Sequence, residues 1–106
     1  MSWVYLVIAG LFEVVWAFSM KQSDGFTRPG PTIVTIAAMI ASFALLSLSM
    51  KSLPLGTAYT IWTGIGAVGA FLVGIAMLGE AASAMRIVAA LLIVAGLVLM
   101  KIATPA

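Results

Sequence analysis

The chain has 106 residues, of which 64% are hydrophobic and only 8% charged, with a formal net charge of +2. Soluble domains carry about 25% charged residues, so this composition excludes an ordinary soluble globule and points to an integral membrane protein made almost wholly of spanning segments. With no cysteine and no histidine, disulfides, thiolate chemistry and the usual soft metal ligands are absent, and five scattered basic residues form no cluster suited to nucleic acid. No enzymatic centre, cofactor or metal site is expected.

Four apolar stretches follow one another. Each is expected to be a helix, because a segment alone in lipid has no other way to satisfy its backbone polar groups. They run over 3–20, 32–50, 57–78 and 84–102, all within the range of about 17–25 residues that crosses the hydrocarbon core. The expected fold is therefore an all-α membrane protein, with a single domain of four transmembrane helices per chain. The first stretch does not read as a cleavable signal, since no Lys or Arg precedes it and it ends at Lys21 rather than at a small-residue cleavage site.

The connections carry turn chemistry. Asp24-Gly25 is a turn dipeptide, and Pro29-Gly30-Pro31 separates the first two helices, with Pro31 suited to a first helical position. Lys51-Ser52-Leu53-Pro54 closes the second helix, and Ser83 is expected to cap the fourth. The helices thus run up and down with short loops.

The first helix holds a single carboxylate, Glu13, among uncharged residues. An acid at membrane depth is costly, and the default reading is a functional site on an ion or proton pathway. Gly10 and Trp16 lie one turn away on the same face, with Ala9 and Ala17 beside them. Burial disfavours the charged form of a carboxyl, so Glu13 could exchange a proton for a cation. The bland alternative is a neutral Glu hydrogen-bonded between helices.

Further along, Ser42 sits near the middle of the second helix, where its hydroxyl could reach a carboxylate or simply bond back to its own helix. Tyr59 and Trp62, three apart on the third helix, are aromatic candidates for holding a cation. For Trp62 an interfacial aromatic belt remains open, and that belt is the preferred reading of Trp3 and Tyr5. Gly64 and Gly66 form a candidate bend in the third helix or a close-packing point. Ala89 and Gly96, seven apart on the fourth helix, form a candidate association seam. Lys101, at the end of that helix, is explained by snorkelling to the interface.

Orientation signals are weak. Lys51 and Lys101 fall on one side of the membrane, and Lys21, Arg28 and Arg86 on the other. Orientation follows an excess of Lys and Arg on the cytoplasmic side, so the near-balance suggests insertion both ways up. Four short helices packed as a bundle would fill their centre with side chains. A transport path therefore implies an oligomer, and an antiparallel homodimer would reproduce the inverted repeats of larger transporters.

Over essentially its whole length the chain resembles the small multidrug resistance family of bacterial inner-membrane transporters. The resemblance rests on Glu13, on Gly25-Phe26-Thr27-Arg28, on the run from Pro54 to Gly66, and on Ala95-Gly96. Phe12-Glu13-Val14-Val15-Trp16, Ser42 and Lys101 are similar to the guanidinium-exporting subtype. The resemblance implies that Glu13 binds both protons and substrate, surrounded by Trp16, Ser42, Tyr59 and Trp62. It further implies that Gly64 to Gly66 form a bend and that the fourth helix joins two subunits of a dual-topology homodimer exchanging an outward cation for inward protons. Thr60 stands where relatives often carry Ala. Two other functions compete: export of quaternary ammonium or lipophilic cations by the same fold, and a non-transporting membrane interaction or folding-helper protein.

Overall fold

The computed structural model describes residues 1–104. Its elements are four helices: α1 Ser2–Gln22, α2 Pro29–Ser49, α3 Leu55–Leu78 and α4 Ala84–Ala103. All four are long and apolar enough to cross a membrane.

Local chemistry accounts for the helix ends. α2 begins at Pro29, three residues ahead of the expected start, because the first turn tolerates a proline that has no N–H to pair. Arg28 before it is extended, as a residue preceding proline must be, and its carbonyl accepts from the Thr32 amide at 3.1 Å and the Thr32 hydroxyl at 2.6 Å. Pro54 precedes α3 as its N-cap, its carbonyl accepting from the Ala58 amide at 2.9 Å. α3 ends at Gly79 in the left-handed conformation, φ 69°, which only glycine adopts without strain. Ser83 caps α4 by accepting from the Arg86 amide at 3.3 Å.

Between α1 and α2 the backbone makes three consecutive left-handed residues, Asp24, Gly25 and Phe26. The fully buried Ser23 holds this turn together. Its hydroxyl donates to the Met20 carbonyl at 2.7 Å and accepts from the Phe26 amide at 3.1 Å. Its carbonyl takes the amides of Thr27 and Arg28.

The fourth helix stands at one edge. α1, α2 and α3 touch one another, while α4 packs on α3 and reaches α1 through Lys101 on Trp3. The molecule measures 43 × 34 × 16 Å with a radius of gyration of 14.5 Å, against about 13 Å for a compact chain of this length. α1, α2 and α3 thus pack around a shared core, and α4 lies at the edge of this group.

The core comprises Leu6 and Ala9 of α1, Leu46 of α2, Leu53 of the following loop, and Ala58, Ile61 and Trp62 of α3. No residue of α4 is buried. On α2 the fully buried polar residues Thr35, Ser42 and Ser49 recur every seventh position. Thr35 and Ser49 return their hydroxyls to carbonyls of their own helix. Ser42 does not.

Candidate functional site

Close packing of α1 on α3 places the Glu13 side chain. Three glycines mark the seam. A Cβ at Gly10 would overlap Ile65, one at Gly66 would overlap the Glu13 carboxyl, and one at Gly69 would overlap Val14. Removing Cβ is what lets backbones approach this far. At Gly66 the space gained is taken by the carboxyl itself, so Gly66 serves as the wall of the Glu13 site. α3 is helical without interruption through Gly64 and Gly66. Gly64 makes its close approach to Leu97 of α4.

Glu13 is half-buried, and its Oε1 is enclosed without a hydrogen-bond partner. Trp16, one turn along α1, has its indole Nε1 in the same condition. Leaving such groups unpaired in a folded protein costs about 1–3 kcal/mol each, more for charged groups. Among the described residues the single ion pair joins Arg86 to Glu80, at 4.0 Å in the α3–α4 connection. None of the described residues therefore neutralises Glu13. No group of acids able to hold a metal exists among the described residues.

Ser42 links three helices. Its hydroxyl donates to the Ala9 carbonyl of α1 at 2.7 Å and accepts from the Trp62 Nε1–H of α3 at 2.9 Å. Ser42 is wholly enclosed and Trp62 is 7% exposed. The buried, bonded indole is at odds with an interfacial belt for Trp62. Ala9 lies one turn before Glu13, so Ser42 grips α1 beside the carboxylate without spending its proton on it. Tyr59 is exposed, and its ring packs against Trp62 with centroids 5.5 Å apart. Phe43 packs on Trp62 at 5.7 Å.

The residues singled out in the sequence thus form two neighbouring groups. Glu13 and Gly66 make one, with Trp16 a turn away, and Ser42, Trp62 and Tyr59 make the other. Ala89 and Gly96 are exposed on α4, and nothing lies within 4 Å of a Cβ at Gly96. Gly96 borders a groove of about 570 Å³ between α3 and α4, shared with Tyr59, Thr63 and Gly64. Lys101 holds its ammonium 4.7 Å from the Trp3 ring centroid, so Trp3 is engaged within the molecule rather than only anchoring it. Sequence reading missed Phe43 and the Ala9 carbonyl. The first is one apolar residue among many, and a backbone acceptor carries no sequence signal.

Comparison with known proteins agrees with this architecture. Residues 1–102 match the family described as Small Multidrug Resistance protein. Proteins named "Guanidinium exporter" from Citrobacter freundii and Salmonella typhimurium are each 59% identical over 104 residues, covering 98% of this chain and 99% of theirs. One of the same name from Escherichia coli K12 is 57% identical with the same coverage. Matched from end to end, with four spanning helices, the chain belongs to the small multidrug resistance family of multi-pass inner-membrane proteins.

Proposed function

We propose that this protein exports guanidinium and small guanidinyl cations across the inner membrane in exchange for protons, the two competing for Glu13, and that it works as an antiparallel homodimer. The observation that carries the reading is the Glu13 carboxyl: the one acid in the spanning segments, pressed against Gly66, with an enclosed oxygen that no donor or cation among the described residues satisfies. The name borne by the relatives gives the cargo.

The chemistry is direct. A protonated Glu13 is neutral and tolerates the membrane interior. Loss of the proton leaves an anion that a guanidinium cation stabilises by charge-assisted N–H···O bonds, as an arginine head group does. Two copies facing each other would offer a carboxylate pair to one planar cation and would titrate as a coupled pair. The indole and phenol rings near the site suit the cation's flat face. Exchange follows if the empty, charged site does not readily cross between the two faces, which desolvation of the carboxylate discourages. The apolar α4, which has no buried residue and carries Ala89 and Gly96, is the element best placed to join the second copy.

The test is guanidinium transport driven by a pH gradient in proteoliposomes. Wild-type protein should move guanidinium against its gradient, and Glu13→Gln should abolish coupled transport. Preference for tetraphenylphosphonium over guanidinium would move the assignment to lipophilic cations. Full transport by Glu13→Gln would leave the acid a structural contact and defeat the proposal.

A further inference from the structure

The grooves on the two flanks of α4 differ in chemistry. The flank bearing Gly96 also carries Tyr59, Thr63 and Gly64, the small and aromatic residues suited to a partner helix. The opposite flank forms a second groove, of about 370 Å³, lined by Trp3 and Val7 of α1, Ile65 of α3, and Leu97, Val98 and Lys101 of α4. Its walls are apolar except at one end, where Lys101 projects.

That end lies at the membrane surface. Trp3 is in the first turn of α1 and Lys101 in the last turn of α4. The Thr57 and Thr104 hydroxyls, 3.1 Å apart, tie the same end of α4 to the start of α3. The groove therefore starts at headgroup level and runs inward along hydrocarbon. From Trp3 to Val7 is about 6 Å of helix at 1.5 Å per residue, enough for the upper part of an acyl chain. One side of the Lys101 ammonium rests on the Trp3 indole. An ammonium has three N–H donors, so the others remain available to an anion.

We propose that this groove is a binding site for an anionic phospholipid, with its acyl chain between α1 and α4 and its phosphate on Lys101. Charge complementarity selects the occupant. A second copy of the chain would bring another apolar helix to a groove that ends in a lysine, whereas a lipid brings a chain and an anion in the matching order. Trp3 holds the lysine at the groove mouth instead of letting it range through the headgroup layer. The proposal stands apart from the cargo, since it uses none of Glu13, Ser42, Tyr59 or Trp62.

The experiment reads quenching of tryptophan fluorescence by lipids brominated in the acyl chain. Full-length protein is reconstituted in phosphatidylcholine vesicles containing either brominated phosphatidylglycerol or brominated phosphatidylcholine. The Trp3 contribution is the difference between wild type and Trp3→Phe. Phosphatidylglycerol should be preferred at Trp3 by about fivefold, the effect of one lysine near an anionic surface. The preference should persist in Lys101→Arg and vanish in Lys101→Gln, while Val98→Phe, which fills the groove, should reduce Trp3 quenching by both lipids. Equal quenching by both lipids in wild type would overturn the proposal. So would a preference unchanged in Lys101→Gln, or protection of Trp3 from both lipids, which would mean that a second copy covers the groove.

Discussion

Gly66 of α3 faces the Glu13 carboxyl of α1 at such close range that a single added carbon at position 66 would overlap it. The carboxyl sits in the notch that the missing Cβ leaves. Its position is thereby coupled to the packing of two helices and not only to its own rotamer.

Gly66→Ala should therefore displace the carboxyl. Overpacking typically costs about 1–3 kcal/mol, and if that cost falls on the binding geometry, guanidinium turnover should drop about tenfold or more. Gly69→Ala is the control, because its Cβ meets Val14 rather than the acid. It should lower thermal stability in detergent while leaving guanidinium affinity close to wild type. Equal transport losses in the two variants would show that only helix packing matters.

Glu13→Asp keeps the acid but shortens its reach by one methylene. Proton binding should survive and guanidinium turnover should fall, since the carboxyl withdraws from the Gly66 notch. The withdrawn side chain should also relieve the overlap caused by Gly66→Ala. The double variant should then transport at least as well as Gly66→Ala alone, as measured by proteoliposome flux. A double variant worse than either single change would contradict the notch.

Ser42→Ala removes the acceptor of the Trp62 indole N–H and the hydroxyl donor to the Ala9 carbonyl. Stranding buried polar groups costs about 1–3 kcal/mol, which should appear as a lowered denaturation midpoint in detergent. Trp62→Phe in the same background tests the pairing. A coupling energy within about 0.5–3 kcal/mol is expected for residues in one network; strict additivity would mean that the two do not act together.

Gly79→Ala isolates a backbone effect, because a Cβ there meets nothing within 4 Å while φ is 69°. The left-handed conformation costs other residues about 1–2 kcal/mol. Stability should fall by that amount, with guanidinium turnover per folded molecule unchanged.

Much of this protein was legible without coordinates. Four apolar stretches of spanning length admit little but helices, since unpaired backbone groups are not tolerated in lipid. The singular position of Glu13 follows from counting acids, and Ser83 read correctly as a cap because capping is a local hydrogen bond. Helix starts were displaced by a few residues where Pro29 and Pro54 occupy the entry, as first-turn prolines fit either inside or just outside a helix.

Tertiary structure decided what faces what. Helical spacing shows which residues share a face, but not which neighbour that face meets. Only the packing shows that Gly66 walls the carboxyl, that Ser42 bridges Ala9 and Trp62, that Trp62 is buried, and that Lys101 lies on Trp3. The place of α4 at the edge is likewise invisible to composition, because every helix is apolar enough for any position in the fold. In lipid, apolarity sets depth in the membrane, while close contact of small residues and a few hydrogen bonds sets the arrangement within it.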